Sequence, residues 1–162
     1  MDIDLSFIKI DYFALSLTEY LESLFKSEKE IVGIILFGSL ATENAEFSSD
    51  KISDIDLLII FADNQLPIDH RERTNLKITL MGLTLSGIDS IWMSKSEFKK
   101  SIENKRDIIL SILDEGIILY DQSNYLRDSK TKLFKELEEK GVKKRKMYWI
   151  WPQKRLGEEI KW

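Results

Sequence analysis

The chain has 162 residues, 43% of them hydrophobic and 32% charged, as in an ordinary globular protein with one core. It contains no cysteine, which excludes disulfides, cysteine-based metal sites and thiol nucleophiles. The net charge of −4 disfavours broad nucleic-acid binding. The acidic N-terminus predicts that there is no signal peptide, and no apolar run reaches the about 18 residues that a membrane helix needs. We therefore expect a cytoplasmic protein.

The first half of the chain predicts a helix followed by two buried strands. Apolar residues recur at helical spacing over residues 5–28, which indicates an amphipathic helix. Residues 31–37, IVGIILF, are too few for a stable helix but suit a buried strand. Residues 38–53 are polar and predict a turn and loop, with a short helical start at Ser39. Residues 54–61, DIDLLIIF, predict a second central strand.

The second half predicts further helices and strands. In chain order these are a short helix at 68–77, two strand-like pieces, ITLMGL and GIDSIWM, within 78–93, a long helix that ends at Glu115 and has a weak point near Asn104, a strand at 116–120, a helix at 122–140 and an extended segment at 142–151. Ser94 or Ser96 begins the long helix, and Glu97 gives Ser94 the spacing of a capping box. The order of elements predicts an α/β or α+β domain.

Asp54 and Asp56 form the first candidate site. Side chains alternate along a strand, so these two carboxylates point to the same side while Ile55 points into the core. Two neighbouring carboxylates repel each other, and a divalent cation such as Mg²⁺ would remove the conflict through hard oxygen ligands. The alternative is a strand that begins with two exposed acids.

Gly38 and Ser39 form the second candidate site. An apolar strand ends at Gly38, and glycine lets a phosphate approach the backbone. A helical start at Ser39 would offer free N–H groups to an anion, and the serine hydroxyl can donate to a phosphate oxygen. A phosphate cradle beside an acidic metal site is what phosphoryl transfer requires.

The segment LFGSLATENAEFSSDKISDIDLLII resembles the signature of the DNA polymerase β-type nucleotidyltransferase superfamily, especially its minimal nucleotidyltransferases. Gly38, Ser39, Asp54 and Asp56 match this signature, and Ser53 matches its common Ser-Asp-x-Asp form. The resemblance implies a small mixed β-sheet flanked by helices, the polymerase-beta-like nucleotidyltransferase fold. It also implies Mg²⁺-dependent transfer of a nucleoside monophosphate, AMP from ATP, to a hydroxyl group.

The resemblance implies a third carboxylate, for which Asp89 in GIDSIWM is the best candidate; its alternative is a turn residue after Gly87. Two features depart from the family pattern, and the first of them weakens the expected triphosphate binding. Thr42 and Glu43 stand where family members often have Arg-Gly, and the loop between Ser39 and Asp54 is a few residues longer than expected.

These observations lead to one functional hypothesis and its alternatives. The predicted catalytic and metal ligands are Asp54, Asp56 and Asp89, and the predicted nucleotide-binding residues are Gly38, Ser39 and Ser53. The resemblance implies an antitoxin that modifies a HEPN-type helical partner protein; a small-molecule acceptor and a catalytically degenerate binding module are the alternatives. The sequence leaves a homo-oligomer open.

The domain organisation completes the predictions. We expect a nucleotidyltransferase domain at 1–121 and, packed on it, a C-terminal helix and extended basic and aromatic tail at 122–162. The basic run at 143–146 and the aromatic residues after it suggest RNA stacking, a less favoured interpretation than docking of Trp149 or Trp151 onto the core or a partner.

Overall fold

The computed structural model describes residues 3–81, 87–145 and 148–152. The elements in chain order are α1 (Asp11–Lys26), β1 (Ile31–Phe37), α2 (Gly38–Ala41), β2 (Ile55–Phe61), α3 (His70–Met81), β3 (Ile88–Ser94), α4 (Lys95–Glu103), α5 (Asp107–Glu115), β4 (Ile117–Asp121), a 3-10 turn (Gln122–Asn124), α6 (Tyr125–Glu139), β5 (Lys143–Arg145) and β6 (Tyr148–Ile150). None of the helices in these ranges is long and apolar enough to cross a membrane.

A four-stranded mixed sheet in the order β3-β2-β1-β4 organises the chain. β1 is antiparallel to both β2 and β4, whereas β2 and β3 are parallel. A parallel pair needs a crossover between its strands, and α3 lies in that connection. The prediction of a small mixed sheet flanked by helices is confirmed.

The two faces of the sheet carry separate apolar layers. Leu57 and Ile59 pack on the side of α1, whereas Leu58 and Ile60 pack on the side of α4, α5 and α6. All four side chains are fully buried. Because the central strands are covered on both faces, β1 and β2 read as almost continuous apolar runs rather than as alternating patterns.

Several local predictions are confirmed. β1 occupies residues 31–37 as predicted, and β2 begins one residue later than predicted, at Ile55. The capping box at the start of α4 forms in both directions: the Glu97 backbone N–H donates to Ser94 Oγ at 3.2 Å, and the Ser94 N–H donates to Glu97 Oε2 at 2.8 Å.

The prediction of one continuous helix to Glu115 is wrong, but the chain breaks at the weak point predicted near Asn104. The chain forms two helices, and α4 ends before Asn104. Lys105 has a positive φ of 50°, which redirects the chain. This break lets α5 bury its own apolar face against the sheet, and helical periodicity alone does not show such a change of direction.

Two other boundaries differ from the predictions. The first helix begins at Asp11, not at residue 5. Ile78 of the predicted strand ITLMGL belongs to α3, which continues to Met81, while residues 82 and 83 lie outside the described residues. The Asp69 carboxylate accepts hydrogen bonds from the N–H groups of Arg71 and Glu72, so this start favours a helix over a weak β propensity.

The C-terminal segment packs against α5 and α6. Leu133 and Leu137 of α6 are buried in the core. β5 and β6 form an antiparallel hairpin, in which Trp149 stacks on Phe134 with ring centroids 5.7 Å apart. Lys144 forms ion pairs with Asp114 and Glu115. Trp149 therefore docks on the protein itself.

Ser90 provides a test of the packing beneath β3. Tyr20 Oη and Ser90 Oγ are 2.8 Å apart, and Trp92 Nε1 donates to the same oxygen at 3.1 Å. All three residues are buried. Ser90→Ala would leave two buried polar groups without this partner, so we expect a loss of about 1–3 kcal/mol in the free energy of unfolding, measured by urea denaturation.

Ser49→Ala is the matched control, since Ser49 is exposed in a loop and hydrogen-bonds only to the neighbouring Asp50 among the described contacts. We expect this control to change stability by no more than about 0.5 kcal/mol. Equal effects of the two substitutions would show that the Ser90 hydroxyl does not hold this part of the core together.

Candidate active site

The sheet brings Asp56 and Asp89 side by side. They are direct partners in the parallel ladder between β2 and β3, and partners in a ladder present their side chains on the same face. Asp54 lies two residues before Asp56, just before β2. Three carboxylates thus gather at the edge of the sheet where β1 ends and β2 and β3 begin.

The turn after β1 presses directly against this acidic cluster. Gly38 has a φ of +72°, and a Cβ placed on it would lie 2.1 Å from Asp56 Oδ2. Any larger residue would both strain the backbone and displace the carboxylate. The backbone of Gly38 and the Asp56 side chain therefore share one small space, which a Cβ atom would close.

The charges in this cluster conflict. Burial raises the pKa of Asp56 above its ordinary value, and the negative charges of Asp89 and Asp54 raise that pKa further. Asp56 is half-buried, whereas Asp54 and Asp89 are exposed. Within the described residues, neither Asp54 nor Asp56 has an ion pair or hydrogen-bond partner for its carboxylate.

These donors fit a divalent cation of the Mg²⁺ type, which prefers carboxylate oxygens and would offset the repulsion. The three acids share one edge of the sheet, but over residues 3–81, 87–145 and 148–152 no three histidine or acidic side chains lie close enough together to form a metal-binding group by themselves. Mg²⁺ commonly keeps several waters and phosphate oxygens in its coordination shell, so a full protein cage is not required.

The two predicted nucleotide-binding serines lie in different settings. Ser39 is in α2, next to Gly38, and its carbonyl accepts a hydrogen bond from the Asn44 N–H at 2.8 Å. Ser53 Oγ accepts from the Glu46 N–H at 2.8 Å, and the Ser53 N–H donates to the Glu46 carbonyl at 2.9 Å. Ser53 therefore closes a loop, and nucleotide binding by either serine stays a prediction.

The residues in place of the usual Arg-Gly have local partners. Thr42 Oγ1 donates to the carbonyl of Gly38 at 3.1 Å, at the end of α2. Glu43 forms an ion pair with Lys9 at 3.2 Å, and both side chains are about four-fifths exposed. The acid that replaces the family glycine thus has a basic neighbour, although such an exposed pair contributes little to stability.

Lys77 is a site residue that sequence reasoning missed. Its Nζ donates to the Ser90 carbonyl at 2.6 Å and lies 3.9 Å from Asp89 Oδ1. Burial lowers the pKa of Lys77, and the Asp89 charge opposes that shift. In the sequence Lys77 is one lysine among many on a polar helix, and only the packing of α3 beside β3 places it at the site.

The chain matches the family described as polymerase beta, nucleotidyltransferase over residues 19–125. No curated protein matches the chain.

Two solved structures with a TM-score of 0.50 share the fold, and a third is also similar to the chain. A toxin–antitoxin crystal structure with AMP-PNP has 17% identity and a TM-score of 0.50, covering 75% of this chain and 86% of the other. A mutant of the toxin–antitoxin MntA-HpeT also has 17% identity and a TM-score of 0.50, covering 76% and 86%. A tri-AMPylated Shewanella oneidensis HEPN toxin in complex with an MNT antitoxin has 16% identity and a TM-score of 0.48, covering 78% and 87%.

The raised pKa of Asp56 predicts a measurable pH dependence. A carboxyl group with a raised pKa in the folded state destabilises the fold when ionised, so its cost is present above that pKa and falls as the solution is acidified towards the ordinary value. Without divalent metal, we expect Asp56→Asn to be more stable than the wild type at neutral pH, by a few degrees in Tm, with the gap closing at acidic pH.

Thermal unfolding across pH, with and without Mg²⁺, measures this difference. Mg²⁺ should stabilise the wild type and leave Asp56→Asn almost unchanged. Asp50→Asn, in the exposed loop, is the control and should follow the wild type in both respects. An Asp56→Asn protein that is less stable at neutral pH without metal would contradict the prediction.

Lys77→Met tests the contact between the charges of Lys77 and Asp89. Removing a cation 3.9 Å from Asp89 Oδ1 makes the cluster more negative, so we expect Mg²⁺ to bind about 1.5- to 5-fold more tightly in a calorimetric titration. Lys99→Met is the matched control, because Lys99 pairs with Glu103 at 4.0 Å on α4. Unchanged or weaker Mg²⁺ binding by Lys77→Met alone would show that Lys77 does not act on the acidic cluster.

Proposed function

Because this chain belongs to the polymerase beta nucleotidyltransferase family, we propose that it transfers AMP from ATP to a hydroxyl group of a HEPN-type partner protein, with Mg²⁺ as its cofactor. The family match supports the reaction class. The choice of ATP and of an antitoxin role draws on the similar fold of the toxin–antitoxin structure with AMP-PNP and on the resemblance to minimal nucleotidyltransferases.

One structural observation carries the proposal: Asp56 is the ladder partner of Asp89 and also lies against the Gly38 turn. Asp54 and Asp56, with Asp89, would hold Mg²⁺. When bound, Mg²⁺ would supply positive charge that offsets the negative charge developing on the phosphates.

Gly38, Ser39 and Asp89 have the other roles in the proposed reaction. Gly38 leaves its backbone open to a phosphate, and the Ser39 hydroxyl donates to a phosphate oxygen. Asp89 accepts the proton of the acceptor hydroxyl, whose oxygen then forms a bond to the α-phosphorus. The bond between the α-phosphorus and its bridging oxygen breaks in line, and pyrophosphate leaves. Positioning and charge neutralisation supply most of the rate gain.

Labelled ATP tests the proposal directly. The protein is incubated with Mg²⁺, the product of the neighbouring gene, and ATP labelled at either the α- or the γ-phosphate. We expect α-label on the partner protein and γ-label in pyrophosphate. Asp56→Ala should reduce α-labelling by at least about 100-fold, since it removes a group that stabilises charge in the transition state, while Asp128→Ala, at an exposed position on α6, should retain it.

The other outcomes separate the alternatives. Label on a small-molecule hydroxyl alone would replace the protein acceptor with a small-molecule acceptor. Metal-dependent ATP binding without label on any acceptor would favour a binding module that has lost catalysis. Full activity of Asp56→Ala would overturn the assignment of the acidic cluster as the active site.

A further inference from the structure

We infer that four apolar side chains beside the acidic cluster form the docking surface for the acceptor protein. These residues, the rim patch, are Phe47 and Ile52 on the loop between α2 and β2, with Tyr12 and Leu15 on α1, which lie three residues apart and are therefore neighbours on the helix surface. The inference rests on the proposed function, because it assigns the surface to the molecule that receives AMP.

The loop that carries half of the rim patch has a fixed shape. Phe47 and Ile52 pair as an antiparallel bridge. Below them, the Ser53 N–H donates to the Glu46 carbonyl at 2.9 Å, and the Glu46 N–H donates to Ser53 Oγ at 2.8 Å. The unexpected length of this loop therefore builds a small hairpin, whose backbone is held by its own hydrogen bonds.

The rim patch is apolar and open to solvent. The exposed fractions are 50% for Phe47, 49% for Ile52, 64% for Leu15 and 36% for Tyr12. The rings of Tyr12 and Phe47 stack with centroids 5.0 Å apart, which holds the hairpin against α1. Clustered apolar side chains left in water are typical of surfaces that bind another molecule.

The rim patch borders the acidic cluster, and this position indicates which molecule binds to the patch. Ile52 is two residues before Asp54. A Cβ placed on Gly87 would lie 3.9 Å from both Asp54 Oδ1 and Tyr12 Oη, so the carboxylate and the phenol line one narrow space. An acceptor protein whose hydroxyl reaches Asp89 comes close to this rim, and of the reactants in the proposed transfer it is the one large enough to cover four apolar side chains.

The charges around the rim patch indicate the chemistry of that acceptor. Among the described residues, Asp11, Asp50 and Asp54 have no ion-pair partner, whereas Lys51 is paired with Glu46 at 3.1 Å. The surroundings are therefore net acidic. We expect the acceptor to present apolar side chains together with lysine or arginine next to its hydroxyl, because opposite charges favour association and like charges oppose it.

The test separates docking from catalysis. Ile52→Ser combined with Leu15→Ser should raise the KM for the partner protein by about tenfold and leave kcat nearly unchanged. The rise in Tm caused by Mg²⁺ and ATP should equal that of the wild type, because neither residue lies in the acidic cluster. Asp50→Lys should also weaken partner binding, measured by calorimetry, and should lower its dependence on salt.

Ile108→Ser is the matched control, since Ile108 has the same 49% exposure as Ile52 but lies on α5. Equal KM values for the rim variant and this control would overturn the docking surface while leaving nucleotidyl transfer in place. Transfer to small molecules alone would also overturn it. If the wild type transfers AMP to no acceptor, the proposed function itself is refuted. The Tm response to Mg²⁺ and ATP measures binding of the metal and nucleotide separately from docking of the partner.

Discussion

The contact between the Gly38 turn and the Asp56 carboxylate is the constraint on which the site depends. A Cβ placed on Gly38 would lie only 2.1 Å from Asp56 Oδ2, so only glycine fits at this position. In the proposed reaction, this contact fixes the backbone that would receive a phosphate beside the acid that would hold a cation. Neither strand could shift by one residue without turning its side chains to the opposite face and separating the two groups.

The acidic cluster destabilises the folded state, and the rest of the fold must offset this effect. Burial and two like charges raise the pKa of Asp56, so its ionised form weakens the folded state unless a cation is present. The buried strands on either side provide the opposing stabilisation, since Leu57, Leu58, Ile59 and Ile60 are fully removed from water. A functional site that destabilises its own protein is a common compromise between activity and stability.

Local features were predictable from the sequence, and distant contacts were not. β1, β2 and the Ser94 capping box follow from short-range patterns that the structure confirms. The signature identified Asp54 and Asp56, but the pairing of Asp56 with Asp89 depends on the register of two strands joined through α3. The sequence indicated a weak point near Asn104, but the position of Lys77 beside Asp89 depends on how α3 packs against β3, which no local pattern shows.

The hairpin between Glu46 and Ser53 is closed at its base by two backbone-directed hydrogen bonds, and the strand that carries the acids starts only afterwards. Its tip can therefore vary in length and composition without moving Gly38 or Asp56. For the docking surface inferred above, exchange of residues 47–52 between related chains would make acceptor recognition a transferable module of six residues beside an unchanged proposed active site.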